Sequence, residues 1–285
     1  MTTYDEQLSI LISNALKEDI GAGDYSTLST IDADKQGSAI LKIKENCTLA
    51  GLKVAEKIFK MVEPTVSFDF YKADGDVVMA GEDAFVVRAK IHTILMCERL
   101  MLNIMQRMSG IATLTAQYTQ LLKGHTTKLL DTRKTTPNFR LLEKEAVRIG
   151  GGFNHRMGLY DMVMLKDNHI DYSGGITAAV NSAYQYLQQH KLSLKIEVET
   201  RTLQDVEEAL LTQKVDRIML DNFSPDQIRT ALKKIDGRVE TEASGGINLQ
   251  NLLDYAATGV DYISSGAVIH QAKSIDLSLK AIMKK

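Results

Sequence analysis

The sequence predicts an α/β protein in two parts, an antiparallel sheet with flanking helices followed by a parallel β/α array of about six strands. Two observations carry this. Between Gly37 and Arg88 the apolar residues come in short runs, SAILKIKE, CTLAG, TVSFDFY and AFVVRAK, with a Gly-Asp turn at Gly75 and Asp76, the pattern of antiparallel strands. After Gly124, the apolar runs TKLLD, DMVMLK, LKIEVE, RIMLD, RVETEA and VDYISS alternate with stretches of crossover length such as LQDVEEALLTQ and SPDQIRTALKK. Such alternation means a parallel sheet with right-handed crossovers. The units number fewer than a full barrel requires, so a β/α barrel and an open doubly wound sheet both stand at this point.

The remaining elements follow in order. Leu8, Leu11, Ile12, Ala15 and Leu16 recur at helical spacing and predict an amphipathic first helix, ended by Gly21 and Gly23. A helix is expected over residues 53–61. A long helical stretch, IHTILMCERLMLNIMQRMSGIATLTAQYTQLL, places Leu95, Leu102, Met105 and Ala112 on roughly one face, with a break or kink expected at Ser109 and Gly110. The domain boundary is placed near residues 108–114. This assigns 1–110 to an α/β domain, joined by 271–285, and 111–270 to the barrel.

Composition narrows the function. The 285 residues are 44% hydrophobic and 25% charged, an ordinary globular balance, with a formal net charge of −2. No global field recruits nucleic acid or a membrane surface, so any anion site must be built from locally gathered cations. Only Cys47 and Cys97 occur, which excludes a disulfide scaffold and a cysteine metal knuckle. The first residues carry acids where a secretion signal needs bases, and no apolar run reaches the length of a membrane span. The expectation is a cytoplasmic protein.

In a parallel β/α array the chemistry lies beyond the C-terminal ends of the strands. TKLL runs into Asp131, Thr132, Arg133 and Lys134, and DMVML into Lys166, Asp167, Asn168 and His169. The third strand carries Glu197 and Glu199, and the fourth ends on Asp221 and Asn222. The last two lead into Ser244, Gly245 and Gly246 and into Ser264, Ser265 and Gly266. Charge collects on the first four ends and small residues on the last two. The small residues suit a phosphate, because glycine lets backbone N–H groups approach an anion, and SGGINLQNLLDYAATG places that turn directly before a helix. Arg133 and Lys134 read as an anion clamp, and His155 and Arg156 form a second basic pair in the loop GGGFNHRMG. Lys166 is a cation or a Schiff-base lysine. Glu199 and Asp221 suit Mg²⁺, directly or in its outer shell, or sugar hydroxyls; salt bridges to Lys166 or Arg133 are the plainer alternative.

Those residues sit in a long motif. DTRKTTPNFRLLEKEAVRIGGGFNHRMGLYDMVMLKDNHI resembles the quinolinate phosphoribosyltransferase family, also called nicotinate-nucleotide pyrophosphorylase (carboxylating). EDIGAGDYST, ERLMLNIMQRMSGIAT, IEVET, IMLDNF, EASGGI and DYISSGA resemble the same family in the same order, so the likeness covers nearly the whole chain.

The resemblance implies an N-terminal α/β sandwich and a C-terminal β/α barrel of about six parallel strands. It implies a homodimer, or a higher assembly, in which Arg99 reaches quinolinate in the neighbouring site. Arg133, His155, Arg156 and Lys166 would bind the two carboxylates. Lys134, Glu199 and Asp221 would carry catalysis and bind 5-phosphoribosyl 1-diphosphate, the two acids also serving Mg²⁺. Ser244, Gly245, Gly246, Ser264, Ser265 and Gly266 would hold the same donor through its 5-phosphate. The implied products are nicotinate mononucleotide, diphosphate and CO₂, a step of NAD biosynthesis without a nucleic-acid or membrane partner. A paralogue acting on another pyridine or nucleobase-like acceptor is the alternative; a Schiff-base aldolase and a phosphosugar-binding regulator are the rivals from other classes.

Overall fold

The computed structural model describes residues 3–283. Their contacts form two compact units. The first takes the chain up to Ala116 with residues 135–151 and those from Val268 on, and the second takes 117–134 and 152–267. The sequence-based division gives 111–270 to the barrel throughout; the contacts group 111–116 and 135–151 with the first unit.

In the first unit, α1 (Tyr4–Ile20) starts at a capping box between Thr3 and Glu6 and buries Leu8 and Ile12. After α2 (Tyr25–Thr30) come β1 (Gln36–Ile43), β2 (Cys47–Thr48), α3 (Leu52–Val62), β3 (Ser67–Phe70), β4 (Val77–Val78) and β5 (Asp83–Lys90). The main sheet has the order β12-β1-β5-β3, where β12 is Leu277–Ala281, and every pair in it is antiparallel. Alternation along β1 buries Ala39, Leu41 and Ile43. Phe59 of α3 meets Phe68 edge to face at 5.5 Å, and Phe68 in turn meets Phe85. The run CTLAG does not join this sheet: β2 pairs only with β4, in a separate two-stranded ladder.

The expected break at Ser109 and Gly110 does not occur. Helix α4 (Ile91–Leu121) runs through both. A Cβ on Gly110 would lie 1.9 Å from the carbonyl oxygen of Lys273, so this glycine admits a passing backbone segment rather than ending the helix. Ser109 Oγ accepts the Ala50 N–H at 3.0 Å, which gives its hydroxyl a tertiary role in place of a local turn.

In the second unit, six strands form one parallel sheet: β6 (Lys128–Leu130), β7 (Val163–Leu165), β8 (Ile196–Thr200), β9 (Arg217–Asp221), β10 (Glu240–Ser244) and β11 (Tyr262–Ser264). The order is β6-β11-β10-β9-β8-β7, so the first strand bonds to the last and, from β7 on, neighbours in sequence are neighbours in space. That is the order of a barrel interrupted between β6 and β7, and it decides against the doubly wound sheet. At the interruption the Phe153 N–H donates to Leu129 O at 2.9 Å and the Asp131 N–H to Phe153 O at 3.0 Å, seating residues 153–155 along β6.

The intervening helices are α5 (Arg140–Ile149, in the first unit), α6 (Asp167–Ser173), α7 (Ile176–Gln189), α8 (Leu203–Leu211), α9 (Pro225–Ile235), α10 (Leu252–Ala256) and α11 (Ala267–His270). Capping boxes start α8 (Thr202 with Asp205) and α9 (Ser224 with Gln227). One face of the strands is apolar: Leu129, Val198, Ile218, Leu220, Ala243 and Ile263 are buried. The opposite face carries Glu197, Arg217, Glu242 and Ser264, whose side chains converge. The period of two therefore gives this barrel an apolar outer layer and a charged interior.

Candidate active site

Strand register sets the mouth of the barrel. Glu199 pairs with Met219 of β9, and Asp221 lies two residues further along that strand, so both carboxylates project from the same face. Asp221 is level with Ser244 of β10. Lys166 follows β7 directly and caps α6 with extended backbone; its Nζ lies 3.4 Å from Glu199 Oε2 and its side chain is about half exposed.

The basic loop is anchored from below. Asp131, fully buried, accepts the His155 N–H at 2.8 Å and the Asn154 amide at 2.6 Å. That fixes the chain where Arg156 departs. Burial, and then the charge of Arg133, hold the Arg156 guanidinium below its ordinary pKa. Two cations near enough to repel in a partly desolvated place suit an anion. Lys134 is exposed, and its N–H donates to Thr132 Oγ1 at 3.1 Å.

Gly245 and Gly246 have φ of +100° and +64°, a left-handed path that an L side chain rarely follows. The turn does not run directly into a helix, as its sequence suggested, because α10 begins only at Leu252. The intervening residues build a turn of their own, in which the Asn248 and Asn251 amides donate to Gly246 O at 3.3 and 3.2 Å. Ser265 Oγ donates to Ile247 O at 3.0 Å, and Ser264 and Ser265 are buried. Any anion here meets backbone and hydroxyl groups rather than the end of a long helix.

The structure thus brings Lys166 to Glu199, Arg133 to Arg156, and Asp221 to the turn at residues 244–246. Arg99 belongs to the first unit, exposed on α4. His155 is buried, and both of its ring nitrogens face protein atoms. Nδ1 accepts the Arg156 N–H at 2.7 Å, while Nε2 lies 3.1 Å from Glu197 Oε2 and 3.2 Å from Glu242 Oε2.

Glu197, Glu242 and Arg217 were not singled out by sequence for this arrangement. The ligand atoms of His155, Glu197 and Glu242 lie within 4.8 Å of one another, as in a metal site. Arg217, however, places Nη1 3.3 Å from Glu242 Oε2 and 4.0 Å from Glu197 Oε2, so a guanidinium already fills the cation's place. Arg217 also reaches Glu240 at 3.1 Å and lies 4.2 Å over the Tyr262 ring. The signal in sequence was a charge inside each short apolar run, in KIEVE, RIMLD and ETEAS.

This cluster holds a proton near neutral pH. Burial, then the Glu242 charge, raise Glu197 to about 7, against the pull of His155 and Arg217. Glu242 stays below its ordinary value: burial opposes its charge, but His155, Ser264 and Arg217 outweigh it. Burial also opposes charge on His155, yet the two glutamates lift the ring to about 9. A cationic ring would lack the Nδ1 lone pair that accepts the Arg156 N–H, so the geometry puts the extra proton on Glu197.

The Glu197 shift is upward, so the folded chain binds a proton that the unfolded chain releases, and stability falls as pH rises. That contribution is complete below 4.5 and lost through about 7. The slope approaches about 1.4 kcal/mol per pH unit for each proton retained. Melting temperature is expected to decline from pH 5 to pH 8, and Glu197→Gln to flatten that decline. A wild-type curve rising over this range would refute the assignment.

Residues 111–280 match the family model described as the quinolinate phosphoribosyl transferase C-terminal domain, and residues 24–109 match the corresponding N-terminal domain. A quinolinate phosphoribosyltransferase (decarboxylating) of Nicotiana tabacum is 45% identical over 98% of this chain and 83% of its own length. A probable nicotinate-nucleotide pyrophosphorylase (carboxylating) of Synechocystis is 44% identical over 94% of this chain and 90% of its own. The crystal structure of NadC from Streptococcus pyogenes superposes with a TM-score of 0.91 at 40% identity, covering 99% of each chain.

Proposed function

The chain belongs to the quinolinate phosphoribosyltransferase family, and from that premise we propose that it joins quinolinate to 5-phosphoribosyl 1-diphosphate with loss of CO₂, giving nicotinate mononucleotide and diphosphate. The observation that carries the reading is the pair Arg133 and Arg156, half-buried cations near enough to disfavour one another, on the side of the mouth where a dicarboxylate would sit. Lys166 completes that side of the mouth. It acts as a cation rather than a Schiff base, its Nζ 3.4 Å from Glu199 Oε2. Lys134 serves the diphosphate end of the donor. Ser244, Gly245, Gly246, Ser264, Ser265 and Gly266 receive its 5-phosphate.

Both substrates are polyanions. Like unit charges about 4 Å apart repel by roughly 4 kcal/mol at an effective dielectric near 20, so the cations must offset several such pairs. They also fix the ring nitrogen against the anomeric carbon. Glu199 and Asp221 face the developing positive charge on the sugar. Their carboxylate oxygens, on one face of adjacent strands, suit Mg²⁺, which takes oxygen donors and keeps water between itself and the protein. Bound there, Mg²⁺ would neutralise the departing diphosphate. Once the ring nitrogen carries the sugar, it is cationic and adjacent to the carboxylate. Loss of CO₂ then leaves its electron pair on the ring carbon beside that positive nitrogen, where a proton taken up from water forms the C–H bond of the product, without a covalent enzyme adduct.

The test is an assay with quinolinate labelled in its 2-carboxylate, the donor and Mg²⁺. Labelled CO₂ and nicotinate mononucleotide should appear in equal amounts; turnover of nicotinate without CO₂ would establish the paralogue instead. We place Arg99 in the neighbouring site of a homodimer. Mixing inactive Arg99→Ala and Lys134→Ala proteins should then restore activity, and no recovery after verified subunit exchange would exclude sharing. Both cysteines, Cys47 and Cys97, are free and buried, in keeping with a reducing compartment such as the cytoplasm. Among the described residues no helix is long and apolar enough to cross a membrane.

A further inference from the structure

Asn222 follows Asp221 in sequence, and its contacts run in two directions. Its backbone is left-handed, φ +57°, which asparagine tolerates better than most residues. Its side-chain amide donates to Asp221 Oδ2 at 2.7 Å. Its backbone N–H donates to Ser244 O at 2.8 Å, at the start of the glycine turn. The other end of the same amide lies against Gly245: a Cβ there would fall 2.2 Å from Asn222 Oδ1 and 2.7 Å from its Cγ. The absence of a side chain at Gly245 is thus matched to the presence of this one.

We propose that Asn222 is a positioning residue that ties the Asp221 carboxylate to the 244–246 turn, so that one side chain sets the spacing between the two ends of the phosphoribosyl donor. The inference rests on the function proposed above, which assigns the sugar and diphosphate to Asp221 and the 5-phosphate to the turn. The amide N–H holds the carboxylate in one rotamer before the ligand arrives, which lowers the ordering cost of binding. Asn222 touches neither substrate in this scheme and acts through its neighbours.

Asn222→Gly keeps the left-handed backbone and deletes the amide, so it separates the side chain's role from that of the fold. Asn222→Asp keeps shape and backbone preference but sets a second carboxylate beside Asp221. Calorimetry with 5-phosphoribosyl 1-diphosphate, with and without Mg²⁺, should show binding weakened about tenfold or more in Asn222→Gly, the usual scale for a lost hydrogen bond to a charged group. Asn222→Asp should bind the donor more weakly still, and quinolinate affinity should stay within about twofold in both. A double-mutant cycle with Gly245→Ala should be non-additive, because the clash at Gly245 is largely with the side chain that Asn222→Gly removes. Unchanged donor binding in Asn222→Gly, or equal weakening of both ligands, would overturn the proposal. Loss of the underlying functional reading has a separate signature: an unsubstituted protein that neither binds the donor nor makes nicotinate mononucleotide.

Discussion

Arg156→Leu is expected to lower kcat/KM for quinolinate by about 10²–10³-fold, the scale of removing one preorganised electrostatic contact, while melting temperature holds or rises. The two halves of that result have one cause. Burial and the charge of Arg133 disfavour the guanidinium at this position and outweigh the opposing charges of Glu197 and Asp161, and its contact from Nη1 to Met162 O is long, 3.4 Å. A group held against its own preference is kept there for what it binds, and removing it should relieve the fold while disabling the site. Arg156→Lys retains charge but not the two-pronged geometry, so it should recover only part of the loss. Steady-state kinetics with thermal denaturation of the same samples decides the matter. A fall in melting temperature that tracks the fall in activity would mean that Arg156 is a structural residue.

Arg217→Met should destabilise the protein by roughly 3–5 kcal/mol, the cost of leaving a buried charge without its partner. Glu197 and Glu242 are both fully buried, and the guanidinium is a cation within 4.0 Å of each. The discriminating sample adds Glu197→Gln and Glu242→Gln to Arg217→Met. If the loss comes from uncompensated charge, the triple variant should unfold at higher urea than the single one, although it departs further from the native sequence. A triple variant no more stable than Arg217→Met would shift the explanation to lost packing over Tyr262.

What could be read from the sequence followed from how locally each feature is encoded. The six barrel strands were legible because each is a short apolar run at crossover spacing. Once they were placed, Glu199, Asp221 and Ser244 fell at the mouth by position alone. β4 was not legible, since two valines carry no period. The helix break expected at Ser109 and Gly110 failed because local turn chemistry was outweighed by a close approach from residue 273. Glu242 and Arg217 escaped notice for a different reason. A charge in a strand ordinarily points to water, and only the closing of six strands turned that face inward. The direction of the His155 ring likewise depends on Glu197 and Glu242, which lie dozens of residues away in the chain.

The pairing of β12 with β1 has a consequence for biosynthesis. Ala39 is aligned with Ala281, and the Lys44 N–H donates to Asp276 O at 3.0 Å, so an early strand finds its partner only after the whole barrel has been made. Until residues 277–281 emerge from the ribosome, one edge of β1 has open N–H and C=O groups, the kind of edge that recruits strands from other chains. The Lys273 carbonyl against Gly110 and the Gln106 amide donating to Leu277 O belong to the same late event. Nascent chains of this protein therefore have reason to need chaperone cover longest at their oldest end, and nonsense codons that remove only this strand should yield aggregation rather than a working shortened enzyme.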